Sequence, residues 1–457
     1  MSRDRTSLRV SWATPCLGFL LLASTALAQA SGPLFPPSIV ITNYDRVLIG
    51  EEEALEAGAF VARVGSTTSG WYNPAGMMLV GKTAIGASGT GYETDALSLE
   101  GVQKQGGGMS IYQLPSFFGA ILGEDVLHSQ VWRFGFSIAK PVSWAQGVQA
   151  GASTNERVSY SSDVSFSTLM PMISVAFAPV SCLRIGVGVG FAITSLSEVQ
   201  TLSAQDVTAS TANAYLRTLD ASGSIWNLTG NLGVQWDITP NLVLGAVMRL
   251  PGIKLISSGR LTYQNVDNNG TPWSQVFFKD GEATFDYKVP LDVNVGLGWH
   301  SAVFGVEADL RYHTAISDYL LFSSPNLVQV TTTASNGTPL VTTHPFPGVQ
   351  NGTKQVWNWA VGGRVNVNES WSLHAGFFSD YSPTNATGQA IFRAINMYGF
   401  TVGAKVQGEH LSGSFGFGFN WGSSQTFNFG DSATGGTIST KLNITSLQFL
   451  YALTYSF

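Results

Sequence analysis

The segment Ser446-Leu-Gln-Phe-Leu-Tyr-Ala-Leu-Thr-Tyr-Ser-Phe457 alternates with a period of two. Leu447, Phe449, Tyr451, Leu453, Tyr455 and Phe457 fall on one face. Ser446, Gln448, Ala452, Thr454 and Ser456 fall on the other, with Leu450 as the one misfit. A strand with one apolar face and one small polar face suits a wall between lipid and a watery lumen. Ending on such a strand, with a final aromatic, is expected of a bacterial outer-membrane barrel. Taken alone, the segment also reads as the last strand of a soluble sandwich.

The other end of the chain favours the barrel. Arg3, Arg5 and Arg9 precede an apolar run from about Cys16 to Ala26, and Ala26-Leu-Ala-Gln-Ala30 supplies small residues for cleavage. Residues 1–30 therefore read as a secretory signal peptide, too short for a spanning helix. Composition agrees, since only 11% of residues are charged, against about 25% in ordinary soluble domains. Aromatics reach 12%, glycines number 51, and mean hydropathy is only +0.15. Alternating lipid-facing and lumen-facing residues cancel in any window, so a barrel keeps mean hydropathy low. Removing Arg3, Arg5, Arg9 and Asp4, net +2, takes the formal charge from −6 to −8. That acidity argues against nucleic acid as a partner. After cleavage one cysteine is left, Cys182, and no Cys/His metal spacing occurs, so neither metal nor cofactor is expected.

The pattern predicts an all-β fold, a 14-stranded antiparallel transmembrane barrel over 81–457. The expected strands are 82–92, 107–115, 131–144, 164–178, 182–196, 223–238, 241–262, 282–299, 302–316, 354–366, 370–381, 396–407, 410–424 and 441–457. Short links such as Pro179-Val-Ser181 and Val367-Asn-Glu369 alternate with long Ser/Thr/Asn/Gly-rich links at 145–163, 197–222, 263–281, 317–353, 382–395 and 425–440. The long links read as outer loops and the short ones as periplasmic turns. The link at 116–130 is longer than its periplasmic peers. In the ninth strand Phe304, Val306, Ala308, Leu310 and Tyr312 oppose Glu307, Asp309, Arg311 and His313. The charged face must point inward, because an ionised group in hydrocarbon costs several kcal/mol. The fifth strand likewise turns Arg184, Gly186, Gly188 and Gly190 inward. Trp236, Trp299, Trp357, Trp359, Trp371, Trp421 and Tyr455 lie near strand ends, where an aromatic girdle belongs.

Residues 31–80 do not read as wall. Gly32-Pro-Leu-Phe-Pro-Pro37 is an irregular arm, and Glu51-Glu-Glu-Ala-Leu-Glu-Ala57 is helical with acids in its first turn. The apolar surface of this segment needs burial, either inside the barrel mouth or in a small periplasmic domain. Gly58-Ala-Phe-Val-Ala-Arg-Val-Gly-Ser-Thr-Thr-Ser-Gly-Trp-Tyr-Asn-Pro-Ala-Gly-Met77 resembles the N-terminal hatch of the long-chain fatty acid transporter family of outer-membrane proteins, which includes importers of toluene-like aromatics. Asn73-Pro74-Ala75 matches its hallmark triplet before the first strand. Leu250-Pro251, Val289-Pro-Leu291 and Trp371-Ser-Leu-His-Ala-Gly376 with Asp380-Tyr-Ser-Pro383 are further echoes. The arm from Ser31 to Gly50 is longer and richer in proline than the family pattern.

The resemblance implies a partly helical hatch plugging the lumen, a hydrophobic substrate, surrounding outer-membrane lipid and lipopolysaccharide, and lateral exit through a kinked third strand. A monomer follows, since a plugged lumen needs no partner. Pro141 is the candidate kink, and its alternative is a place above the membrane where the strand becomes loop. Pro171 in the fourth strand is the rival. Leu34, Phe35, Ile39, Phe60, Met77, Met78 and Leu79 are candidate ligand contacts, and the alternative is that they only pack the plug against the wall. Arg184, Arg249, Arg311, Arg364 and Lys405 either meet a carboxylate headgroup or pair with Asp292, Glu307 and Asp309 in a structural network. Two other classes compete: a general diffusion porin, which has no use for so large an apolar plug, and an outer-membrane hydrolase. No serine sits in a Gly-x-Ser-x-Gly setting near any of the six histidines 128, 300, 313, 344, 374 and 410, so no enzyme is expected.

Overall fold

The computed structural model describes residues 43–45, 47–99, 110–153, 156–206, 214–268, 273–333, 336–385, 394–424, 427–431 and 436–457. The expected signal peptide and Leu34, Phe35 and Ile39 lie outside them. Fourteen strands form the wall and are numbered here in chain order. The first seven are β1 Ala84–Leu99, β2 Ser110–Leu122, β3 Trp132–Ser153, β4 Glu156–Val180, β5 Leu183–Asp206, β6 Ala214–Thr239 and β7 Leu242–Arg249. The second seven are β8 Asp292–His300, β9 Phe304–His313, β10 Val356–Asn366, β11 Trp371–Asp380, β12 Asn396–Gln407, β13 Leu411–Ser423 and β14 Leu442–Ser456. Each pairs antiparallel with the next, and β14 closes on β1 from Ala84↔Ser456 to Leu99↔Leu442. Closure leaves the sheet without a first or last edge strand. Its outer surface is apolar: Val306 and Leu310 of β9, and Leu447 and Leu453 of β14, are exposed there, while Glu307, Asp309, Arg311 and His313 are buried inside.

Three expectations change. The long links at 145–163 and 197–222 are largely strand, because β3 to β6 run for 22, 25, 24 and 26 residues. At about 3.3 Å per residue β4 alone is about 80 Å long, and about 10 residues suffice to cross a membrane. The Ser/Thr-rich stretches continue the strands far past the membrane-crossing length, with Glu198, Leu219 and Ala221 buried on one face, and a Ser/Thr-rich composition alone cannot be told from loop. The links at 263–281 and 317–353 also carry strands, Ile253–Asn268, Ser274–Phe285, Ile316–Ser323, Leu327–Thr333, Pro339–Pro345 and Val349–Thr353. They build the head above the lumen, where Phe285 packs on Phe322 with ring centroids 5.0 Å apart.

The second correction concerns β2, which does not end at Pro115 but runs to Leu122. Pro115 pairs with Gly89 beside a register shift, where a missing N–H is tolerated. The overlong link shrinks to a turn holding the short helix Glu124–Leu127, pinned by an Arg133–Glu124 ion pair of 2.6 Å. Third, the seventh strand is interrupted at Leu250-Pro251-Gly252, and the eighth at 286–291.

The segment 47–80 lies inside the barrel. It carries α1 Glu52–Leu55, α2 Ser69–Tyr72 and a 3-10 helix, Pro74–Leu79. Leu450, the misfit of the last strand, now has a reason. It is buried with Leu48, Leu55, Ala57 and Phe378 against the plug.

Candidate functional site: a keyed plug beside an opening in the wall

Irregular backbone buried in a lumen must find partners for its N–H and C=O groups. Two wall strands separated by β7 and β8 supply many of them. On β6, Asn231 Nδ2 donates to the Gly70 carbonyl at 2.9 Å and Gln235 Nε2 to the Val64 carbonyl at 3.0 Å. On β9, Asp309 accepts from the N–H groups of Phe60 and Val61 at 3.0 and 3.3 Å. Glu307 accepts from those of Ala62 and Arg63 at 2.6 and 3.0 Å, and from Arg63 Nε at 3.0 Å. β6 thus holds plug carbonyls, while the β9 carboxylates hold four successive plug amides and Arg311 of β9 donates to the Gly58 carbonyl at 2.5 Å.

The Asn73-Pro74-Ala75 triplet is the hub. Asn73 caps the 3-10 helix by accepting from Ala75 N at 3.2 Å, and Pro74 occupies its first position, where no N–H is needed. Asn73 Nδ2 donates to the carbonyls of Val61 and Val234, both at 2.9 Å, tying plug to β6. The inward glycines of the wall give this hub its space. A methyl at Gly186 would overlap the Pro74 main chain, one at Gly233 the Asn73 side chain, and one at Gly245 the Val61 carbonyl. Across the lumen Gly362 and Gly376 make the same room for Glu56. Gly186→Ala should therefore leave the strand intact and disturb the plug, with raised single-channel conductance in planar bilayers. Unchanged conductance would show that the fit is loose.

Charges orient the plug against β9 to β12. Arg364 pairs with Glu52 at 2.8 Å, and Lys405 lies 3.6 Å from Glu51 and 3.9 Å from Glu52. Glu56 bonds to Arg63 and to His374 Nδ1, the latter at 2.8 Å. Glu52, Glu56 and His374 come within reach of one cation. Arg63, Arg364 and Lys405 already neutralise these acids, so the group reads as an ion-pair network. Burial alone would raise the Glu52 pKa, but Lys405 and Arg364 outweigh it and hold the carboxyl at about 2, below the ordinary 4.5. A depressed carboxyl stabilises the fold above its unfolded value and loses that contribution as pH falls through its folded value. Plug docking through Glu52 should be complete above pH 4.5 and weaken toward pH 2. Conductance traces should show openings appearing in that window and not between pH 5 and 8.

The wall is incomplete beside the plug. β2 and β3 pair from Leu122↔Phe134 to Phe117↔Ala139, and there the ladder stops. Beyond that point β2 stays with β1 and β3 with β4. The divergence sits at Lys140-Pro141, where β3 carries one extra residue opposite β4 between Ala139↔Met170 and Val142↔Thr168. Pro141 has no N–H for β2, and its carbonyl accepts instead from Val47 N of the plug at 3.3 Å. Pro171 keeps register with Ile138, so the irregularity belongs to Pro141. Pro115 on β2 is the residue that sequence reading missed. Its signal was a proline inside an otherwise continuous apolar alternation.

Between plug and opening lies a small recess lined by Tyr44, Val61, Trp71, Pro141, Arg249 and Arg311, among others. Its two guanidinium groups face carboxylates: Arg249 pairs with Asp292 at 2.6 Å and Arg311 with Asp45 at 3.5 Å. Arg249 also covers the Trp71 ring at 4.1 Å. Of the other sequence candidates, Arg184 pairs with Asp237 near the turn between β6 and β7 at 2.5 Å. Phe60 and Met77 are fully buried in plug packing, with Ile49 and Phe117 and with Val80 and Ile121 respectively. Met78 is half-buried, and Leu79 is exposed.

These features define a class, an outer-membrane-type barrel of fourteen strands whose lumen is plugged by its own N-terminal segment. Among solved structures the fold is that of the long-chain fatty acid transporter family. The toluene transporter TodX of Pseudomonas putida matches with a TM-score of 0.58 at 13% identity, over 91% of this chain and 100% of that one. A FadL homologue of Pseudomonas aeruginosa gives 0.56 at 15%, over 92% and 100%. The toluene transporter TbuX of Ralstonia pickettii gives 0.55 at 15%, over 90% and 98%. No protein-family model and no curated protein sequence matches the chain.

Proposed function

We propose that this protein is an outer-membrane channel for hydrophobic molecules, exported by a cleaved signal peptide, acting as a monomer among lipid and lipopolysaccharide, and not an enzyme. One observation carries the reading: the β2–β3 ladder ends at Pro141, beside a recess that the plug floors. A molecule leaving the recess sideways enters the bilayer without crossing bulk water, and hydrating apolar surface is the cost such a path avoids. A diffusion porin has no need of a keyed plug.

Long-chain fatty acids are the first substrate class, from the family resemblance. Simple aromatics are the second. They are favoured by the charge balance of the recess, where Arg249 and Arg311 already have Asp292 and Asp45 and a carboxylate headgroup would compete with both. The test is uptake of labelled oleate and toluene by cells that lack their own transporter and express this chain or an empty vector. Oleate alone supports the first class and toluene alone the second. A folded barrel that raises neither above vector refutes import of both.

A further inference from the structure

The wall has a second discontinuity. β7 and β8 pair from Leu242↔Trp299 to Arg249↔Asp292, and their continuations pair again from Gly259↔Ala283 upward. Between these ladders, 250–258 faces 284–291 with no pairing, and each segment has a proline, Pro251 and Pro290. Both flanks hold to their far neighbours. Leu250 N donates to the Gly230 carbonyl at 2.8 Å, and Ile253 and Lys254 pair with Leu228 and Asn227 of β6. On the other side Asp286 N donates to the Leu321 carbonyl at 2.9 Å, and Thr314 N to the Leu291 carbonyl at 3.0 Å.

Among the described residues only side chains bridge the space. Lys254 Nζ stands 3.5 Å from Asp286 Oδ1, and Asn227 Nδ2 donates to the Tyr287 carbonyl at 3.2 Å. Asn227 and Val289 close in on Gly252, where an added Cβ would lie 2.7 Å from Asn227 Cβ and 3.4 Å from Val289 Cβ. The outer rim is apolar to an unusual degree, with Ile253, Leu255 and Ile256 exposed to 66%, 50% and 68%. They flank Trp226 on the lipid-facing side, and a strand bulge between Trp226 and Asn227 brings them out together. The foot of the gap is the Arg249–Asp292 pair, and Arg249 lines the same recess that Pro141 borders from the opposite quarter.

We infer that the gap between 250–258 and 284–291 is a lateral intake port, through which hydrophobic molecules already dissolved in the outer leaflet reach the recess, with Lys254–Asp286 as its latch. The inference rests on the import reading above and adds a second route to it. An ion pair and one amide are a weak closure next to a ladder, since a part-exposed pair contributes little. Apolar side chains at the rim give a lipid-borne molecule a surface to follow.

The experiment uses the full chain with Cys182→Ser as background, and Lys254→Cys with Asp286→Cys joined after folding by a short bifunctional thiol reagent. Cells receive labelled hexadecane, delivered into the outer leaflet from fused lipid vesicles, or labelled toluene dissolved in the medium. The link should lower hexadecane uptake at least fivefold and toluene uptake less than twofold. Ile253→Asn with Ile256→Asn, which makes the exposed apolar rim polar without any reagent, should reproduce the loss. Hexadecane uptake unaffected by both changes overturns the port, as does an equal fall for both substrates. If the unlinked barrel takes up neither, the import reading itself fails, a result distinct from failure of the port.

Discussion

Replacing Glu307 with alanine is expected to unseat the plug and turn a closed barrel into a conducting one. The carboxylate sits inside the wall and accepts from two successive plug amides and from Arg63 Nε. Its loss leaves Arg63 buried with half its charge partners and two N–H groups with none. Removing one member of a buried pair typically costs about 3–5 kcal/mol. The barrel's own closure is carried by the wall ladders, so the loss falls on plug docking. In planar bilayers the variant should show long-lived openings of much greater conductance than the parent, and cells carrying it should become sensitive to large antibiotics. Glu307→Gln keeps an acceptor and should lie between the two. A silent Glu307→Ala channel would mean that Asp309, β6 and the ion pairs of β10 to β12 suffice to hold the plug.

The second large effect is expected from the opening at β3. Replacing Lys140-Pro141 by a single alanine removes the extra residue and restores an N–H. β3 then has the register and the donor to continue its ladder with β2 beyond Phe117↔Ala139. Uptake of every hydrophobic substrate should fall to the vector level while the barrel still folds, judged by heat-modifiable migration on gels. Retained uptake would place the exit elsewhere, and the gap between β7 and β8 would be the next place to close.

Much of this was legible in the chain, for a simple reason. A residue in a transmembrane strand has one of two environments, lipid or lumen, and alternation records which. The last strand and the ninth show it directly. The same rule marks exceptions: Leu450 on the lumen face of β14 had to meet something apolar, and it meets the plug. The Ser/Thr-rich strand extensions carry a weaker record, because small polar side chains stand on the exposed face and the buried face alike. They read as loops until their neighbours are known. Pro115 looked like a strand end because the bulge that tolerates it depends on β1.

What the sequence by itself determined is the membrane wall, the existence of a segment that cannot be wall, and the prolines where ladders are at risk. Only the tertiary structure decided the pairing. The cations that alternation turned into the lumen, for a carboxylate headgroup or for Asp292, Glu307 and Asp309, find partners only the fold could supply: Arg249 takes Asp292, Arg311 takes Asp45 and Arg364 takes Glu52 of the plug. Glu307 and Asp309 in turn serve plug backbone. The physical reason is that alternation specifies which side of a wall a residue faces but not what stands opposite it. In a closed barrel that partner is set by a segment more than two hundred residues away along the chain.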